Sequence, residues 1–221
     1  MTPLNMDFTK TVTILPNEYH WVDSPAEGVS RMPLEKQAEE SGHTTSLVRF
    51  APGSRFPPHT HPLGEEIYVL DGVFSDEHGD YPAGTYIRNP PKSQHSPFTH
   101  EGCTLFVKLD QFHPQDMASV VIRPQERQWL PGQGNLTVLP LHEYQTQHTA
   151  LVHWPAHEQF KPHQHWGGEE ILVLEGEFCD EHGCYPAGSW IRSPHLSKHT
   201  PFVEHETLIL VKTGHLPDQE T

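Results

Sequence analysis

Apolar residues in this chain fall in short blocks of four to seven, such as Ile67-Tyr68-Val69-Leu70 and Ile171-Leu172-Val173-Leu174, with no sustained helical period. Twenty-two prolines and sixteen glycines separate the blocks, and that punctuation predicts many short strands. Glu66 to Leu70, then Asp71-Gly72, then Val73-Phe74 reads as strand, tight turn, strand, because Asp-Gly favours a two-residue hairpin; Glu175-Gly176 occupies the same place later. Asp76-Glu77-His78-Gly79 and Asp180-Glu181-His182-Gly183 close the next hairpin, and Tyr81-Pro82-Ala83-Gly84 opens the one after. Antiparallel hairpins in series predict an all-β sandwich or barrel. The apolar fraction is only 34%, but its concentration in blocks argues against disorder.

The blocks recur. Phe50 to Lys108 lies over Trp154 to Lys212 at a constant offset of 104 residues, with 29 of 59 positions identical. Weaker similarity extends upstream, pairing Met32-Pro33-Leu34 with Leu139-Pro140-Leu141 and Trp21 with Trp129. The first copy carries extra residues around Lys36 to Gly42. A 221-residue chain built this way is expected to form two small domains, 1–115 and 116–221, divided near Gln115 in the polar stretch from Pro114 to Gly134.

Among the retained residues, His59, His61, Glu65 and His95 recur as His163, His165, Glu169 and His199. Side chains alternate faces along a strand, so His59 and His61 point the same way and can grip one ion. Glu65 can join from the next strand start, and His95 follows after enough chain to bring a neighbouring strand alongside. A chain with 19 histidines carries one or two His-x-His pairs by composition alone, so one pair means little. Two pairs, each with the same Glu and the same later His, point to a metal-ligand set in each domain. Glu66 and Glu170 point to the opposite strand face, where pairing with Arg88 or Arg192 is the plainer role. His78 and His182 fit exposed hairpin tips, and Tyr86, Phe98, Trp190 and Phe202 read as core packing ahead of cavity lining.

Gly53-x5-His59-x-His61-x3-Glu65-x6-Gly72 resembles the first signature of the cupin superfamily, and His163-x-His165-x3-Glu169-x6-Gly176 repeats it with His157 in place of the opening glycine. Pro82-x-Gly84 and Pro186-x-Gly188 resemble part of the second signature. The histidine expected three residues after the glycine is Ile87 or Ile191, with His95 and His199 as substitutes. That displacement, with Gly64-Glu65-Glu66-Ile67, Arg88-Asn89-Pro90-Pro91 and His95-Ser96-Pro97-Phe98, resembles the cupin-like domain of the ChrR anti-sigma factors. The resemblance implies two tandem double-stranded β-helix (jelly-roll) domains, zinc on His59, His61, Glu65 and His95 and on the second set, and a link to oxidative-stress sensing. ChrR itself carries a helical zinc-binding domain ahead of its cupin, and that domain holds the sigma factor. Here about forty Cys-free residues with several prolines precede the first cupin core, so sigma-factor binding is not expected.

A formal net charge of −15 repels nucleic-acid phosphates and anionic membranes, so neither is expected as a partner. No apolar run approaches the roughly 20 residues that span a bilayer, and Met1-Thr2-Pro3-Leu4-Asn5 does not open a signal peptide, so a soluble cytoplasmic protein is expected. Cys103, Cys179 and Cys184 have no counterparts in the opposite copy, where Thr207, Ser75 and Asp80 stand. Cys179 and Cys184 can face each other across a hairpin, but two reduced thiols are the expectation over a redox-active pair. Strand edges leave room for a homodimer.

Imidazole suits zinc, iron, copper and nickel, and the carboxylate widens the choice to manganese. Zinc is the expected ion on the resemblance, with iron and manganese as alternatives. Three functions stay open: a zinc-binding sensory or ligand-binding module, a non-haem iron dioxygenase acting on a small diketone-like compound, and a manganese enzyme acting on a dicarboxylate such as oxalate.

Overall fold

The computed structural model describes residues 3–37 and 42–218; the extra residues of the first copy fall largely outside that set. The strands, in chain order, begin with β1 (Val12–Ile14), β2 (Val22–Asp23), β3 (Val29–Lys36), β4 (Thr44–Phe50), β5 (His59–His61), β6 (Glu65–Asp76) and β7 (Gly79–Pro82). Next come β8 (Tyr86–Asn89), β9 (Ser93–His95), β10 (Cys103–Leu109), β11 (Val120–Ile122), β12 (Leu130–Pro131), β13 (Thr137–Tyr144) and β14 (Gln147–Trp154). The last are β15 (His163–His165), β16 (Glu169–Glu175), β17 (Glu177–Asp180), β18 (Gly183–Pro186), β19 (Trp190–Ser193), β20 (Ser197–His199) and β21 (Thr207–Thr213). Among the described residues the helical pieces are the 3-10 turns Pro16–Glu18 and Pro124–Glu126, and no helix is long and apolar enough to cross a membrane.

Two compact units result. Unit 1 holds the described residues up to Met6 and His20–Arg127; unit 2 holds Asp7–Tyr19 and the described residues from Gln128 onward. In unit 1 the main sheet runs β11-β8-β6-β10-β4-β3-β2, with β7 on the far end of β6 and a separate β5-β9 pair. In unit 2 it runs β1-β19-β16-β21-β14-β13-β12, with β15-β20 and β17-β18 as separate pairs. Every pairing among the named strands is antiparallel, as the serial hairpins predict.

Strand alternation sorts the side chains onto two faces. Val48, Phe50, Ile67, Val69, Leu105 and Val107 fill the inside of unit 1, and Trp154, Ile171, Val173, Phe178 and Ile209 fill that of unit 2. Each such side chain contributes roughly 1.5–3 kcal/mol by leaving water. The neighbours of opposite parity form buried polar contacts instead: Tyr86 donates to Glu66 at 2.9 Å, and Trp190 Nε1 donates to Glu170 at 3.1 Å. Arg88 lies 3.5 Å from Glu66 and also pairs with Asp116. The off-site role expected for Glu66, Tyr86 and Trp190 therefore has a definite geometry.

Asp71-Gly72 is not a hairpin. β6 continues through it, pairing with β10 and β8 before the glycine and with β7 after it. Gly72 has φ +71°, and a Cβ there would lie 2.0 Å from the Gly102 carbonyl oxygen. The glycine thus permits a close backbone approach where the strand changes sheets, and the register slips beside it. Gly176, φ +76°, separates β16 from β17 in the same way. The hairpins at Asp76–Gly79 and Asp180–Gly183 do form, with His78 and His182 exposed at their tips.

The expectation of two reduced thiols is corrected as well. Cys179 and Cys184 stand opposite each other in the β17–β18 register and form a disulfide, with Cα atoms 4.1 Å apart. Cys103 is free and buried, and burial pushes its thiol up to about 12.

Candidate metal centres

In unit 1 the ligand set rests on a two-stranded ladder. β5 pairs with β9 so that His59 faces His95, Thr60 faces Gln94 and His61 faces Ser93. Glu65 opens β6 after Gly64, whose φ of +82° lets the chain pass against the Phe112 ring; a Cβ there would come within 2.4 Å of it. In unit 2 His163 faces His199 across β15 and β20, and Gly168, φ +70°, packs against Leu216 ahead of Glu169. A short ladder, then a glycine, then a carboxylate at a strand start is the local recipe in both copies.

All four predicted residues of unit 1 converge: one ligand atom from each of His59, His61, Glu65 and His95 lies within 4.8 Å of the others. Glu65 Oε2 is 3.4 Å from Nε2 of both His61 and His95. In unit 2, His163, His165 and His199 form the corresponding group, and Glu169 Oε2 reaches Nε2 of His165 at 3.4 Å and of His199 at 3.5 Å. Tetrahedral coordination at about 2.0–2.1 Å separates ligand atoms by about 3.3 Å, and the carboxylate–imidazole separations of 3.4 to 3.5 Å are close to it.

The second nitrogen of each ring decides what the first can do. His59 Nδ1 sits 2.9 Å from the Pro57 carbonyl, and His163 Nδ1 sits 3.0 Å from that of Lys161. A carbonyl only accepts, so Nδ1 carries the hydrogen and Nε2 presents a lone pair. His95 Nδ1 lies 3.4 Å from Asp76 Oδ2 and His199 Nδ1 lies 3.6 Å from Asp180 Oδ2, which turns both Nε2 atoms inward in the same way. Nε2 of His61 and of His95 are buried with no hydrogen-bond partner. In unit 2 the His199 Nε2 lies 2.9 Å from that of His165 and 3.2 Å from that of His163. Bare lone pairs at such distances repel, and a shared cation is what removes the repulsion; the donor set fits a divalent metal.

Electrostatics agree with buried nitrogen ligands. Burial lowers the His61 and His163 imidazoles below their usual value. Burial, with the neighbouring His199 and His163, takes His165 down to about 3. For His95 and His199 burial also pulls downward, but the hydrogen-bonded Asp76 or Asp180 and the nearby Glu65 or Glu169 outweigh it and raise them. Burial pushes Glu169 up to about 7, so its carboxyl holds a proton near neutrality until a cation replaces it.

Asp76 and Asp180 escaped the motif reading, which took them only as hairpin residues. They anchor the ladder histidines while accepting from Tyr81 and Tyr185, each at 3.1 Å. Their signal was present: both Asp and both Tyr are identical between the copies. Asn89, which donates to Glu65 Oε2 at 2.9 Å, gave none, because Ser193 replaces it in unit 2. A further group, Glu177 with Cys179 and Cys184, offers no thiolates while the disulfide holds.

The family description "ChrR Cupin-like domain" matches residues 9–113 and again 117–217. No curated protein sequence matches the chain. Among solved structures, a candidate dioxygenase of Nostoc punctiforme is similar at TM-score 0.75 and 16% identity, over 98% of this chain and 91% of that one. A nickel(II)-bound pirin of Escherichia coli aligns at TM-score 0.69 and 15% identity, over 94% and 99%. A variant of the oxalate decarboxylase of Bacillus subtilis aligns at TM-score 0.65 and 14% identity, over 93% and 78%. At these identities the likeness establishes the fold, two tandem all-β cupin domains.

Proposed function

The chain belongs to the family of ChrR cupin-like domains, which it carries twice, and on that premise we propose that it is a bicupin holding one divalent metal ion in each unit. His59, His61, Glu65 and His95 hold the first ion; His163, His165, Glu169 and His199 hold the second. The observation that carries this reading is the set of inward-facing Nε2 atoms, those of His61 and His95 buried without a hydrogen-bond partner in unit 1 and those of unit 2 packed against one another. Zinc is the proposed ion, since three imidazoles and a carboxylate suit it and the carboxylate–imidazole separations are near those of a tetrahedron. The role proposed with it is a sensory or regulatory module responding to oxidants, which the ChrR relationship supports.

A second reading has its own observation. A cavity in unit 1 reaches His59 and Glu65, so a small molecule has a way to the centre, and an iron(II) ion there would supply oxygen chemistry. That cavity, with the fold similarity to a candidate dioxygenase, supports a non-haem iron dioxygenase. In either case the protein's own residues do the positioning: Asp76 and the Pro57 carbonyl fix two ring orientations, and the apolar interior excludes bulk water.

Elemental analysis of protein purified without added metal tests both readings. Two zinc per chain, with loss of one equivalent in His95→Ala and one in His199→Ala, supports the sensory bicupin; peroxide should then release metal. Iron with oxygen uptake on a diketone supports the enzyme. Retention of both equivalents in either variant overturns the ligand assignment.

A further inference from the structure

The hairpin of β17 and β18 supports the centre of unit 2. Besides the approach of Asp180 to His199 Nδ1, the Glu181 carboxylate accepts from the Thr200 amide at 2.8 Å, and Cys179 exchanges two backbone hydrogen bonds with Phe202, at 2.9 and 3.0 Å. Each of these contacts holds the hairpin to the segment that carries His199. Unit 1 has the same set: Glu77 accepts from the Ser96 amide at 2.8 Å, and Ser75 exchanges backbone bonds with Phe98 at 2.8 and 2.9 Å.

The copies differ in what closes the hairpin. In unit 1 the Ser75 hydroxyl donates to Asp80; in unit 2 Cys179 and Cys184 are covalently joined. Glu177 also belongs to unit 2 alone, since Val73 stands at its place in unit 1. Cys184 is exposed and Cys179 is buried, so an incoming thiolate has one sulfur within reach, that of Cys184. Glu177 Oε2 lies 3.9 Å from Cys179 Sγ, where it accepts a hydrogen bond once that sulfur carries a proton. One sulfur is open to attack and the other has an acceptor waiting, so the bridge can open while the chain stays folded.

We propose that the Cys179–Cys184 bridge is a thiol-exchange site for a dithiol reductant, and that opening it weakens metal binding in unit 2 but not in unit 1. One thiolate of the dithiol attacks Cys184 Sγ; the Sγ–Sγ bond breaks, and Cys179 leaves with the electron pair and takes up a proton. The second thiolate attacks the reductant's own sulfur in the mixed disulfide, and Cys184 leaves and is protonated in turn. The chain gains two electrons and the two protons shed by the dithiol, which ends as a disulfide. The opened pair offers only weak S–H donors where unit 1 keeps a hydroxyl–carboxylate hydrogen bond, so the hairpin loses its closure and Asp180 its fixed place behind His199. The coupling rests on the metal reading of unit 2. Its signal is a reductant, because the bridge is already oxidised and peroxide has no bond to make there.

The test uses the full chain, reduced with dithiothreitol while folded and then freed of it anaerobically. Iodoacetamide should mark Cys184 and leave the buried Cys103 unlabelled; a bridge that stays closed until the chain is denatured overturns the proposal. Zinc affinity, read by competition with a chelator, is compared before and after reduction in His95→Ala, which reports unit 2, and in His199→Ala, which reports unit 1. Reduction should weaken the first about three- to tenfold, less than the roughly ten- to a hundredfold that loss of such a supporting carboxylate brings, and leave the second unchanged. Cys179→Ser with Cys184→Ser, placed in His95→Ala, should show the weakened affinity and no response to dithiothreitol, which separates loss of the bridge from capture of zinc by the freed thiols. Unchanged or tighter binding after reduction, or an equal loss in both units, overturns the proposal. Two zinc per untreated native chain with an unresponsive affinity condemns the coupling alone, whereas fewer than two condemns the metal reading beneath it.

Discussion

Asp76 Oδ2 stands 3.4 Å from His95 Nδ1, and Tyr81 and the His78 amide both donate to the other oxygen of the same carboxylate. The hairpin between β6 and β7 is therefore mechanically joined to the ladder that carries His95. A carboxylate behind an imidazole fixes its tautomer and raises its basicity toward a cation. Asp180 repeats the arrangement with Tyr185 and the His182 amide.

From this coupling, Asp76→Asn should weaken metal binding in unit 1 about ten- to a hundredfold while leaving unit 2 unaffected; Asp180→Asn should do the reverse. Competition against a chromophoric chelator reads both affinities. Equal weakening of the two sites by one substitution would show that the carboxylates act on the fold at large.

Much of this was legible in the chain because the copies act as an internal comparison. His59, His61, Glu65 and His95 stand out through alternation and recurrence, and alternation also places Glu66 on the other face, where it meets Tyr86 and Arg88. The hairpin at Asp71-Gly72 was misread because the dipeptide reports only that a positive φ is tolerated. Whether the chain then reverses or continues depends on Gly102, thirty residues away, whose carbonyl occupies the space a side chain would need. The Cys179–Cys184 bridge was set aside for a different reason: the hairpin already placed the two thiols face to face, as the β17–β18 register has them, but an odd number of cysteines with no counterparts in the other copy argued for reduced thiols.

Gly72→Ala follows from the same close approach. An alanine at φ +71° bears left-handed strain, and its Cβ would lie 2.0 Å from a backbone oxygen that cannot swing away. Together these should cost about 2 kcal/mol or more. Denaturant melting of the variant should show unit 1 unfolding earlier while unit 2 keeps its midpoint; an unchanged melt would mean that β6 can relax past Gly102.

Across the equivalent positions of the two hairpins, Ser75 donates a 2.7 Å hydrogen bond to Asp80, whereas Cys179 and Cys184 are covalently joined. Alkylation of the denatured, unreduced chain should label one thiol, Cys103, and reduction should raise the count to three. Closing so short a loop contributes about 2 kcal/mol in the chain-entropy description, so Cys184→Ser should lower the stability of unit 2 by that order and leave unit 1 unchanged. Three labelled thiols before reduction would contradict the bridge.

Proton release should accompany metal uptake by unit 2, with a sign set by Glu169. Burial pushes this carboxyl up to about 7, so at pH 6, below that value, the metal-free folded protein holds it protonated. A coordinating carboxylate must be ionised, so the incoming cation displaces the proton. His199, raised by Asp180 and Glu169 against the pull of burial, adds to the release. His165, held down at about 3 by burial and its histidine neighbours, is already neutral and adds nothing. Calorimetry of His95→Ala in two buffers of different ionisation enthalpy should therefore show more protons released per ion at pH 6 than at pH 8.5, with Glu169 alone accounting for about one. Release that does not change between the two pH values would mean that Glu169 is ionised before the metal arrives, and that the buried carboxylate is stabilised by a group other than the cation.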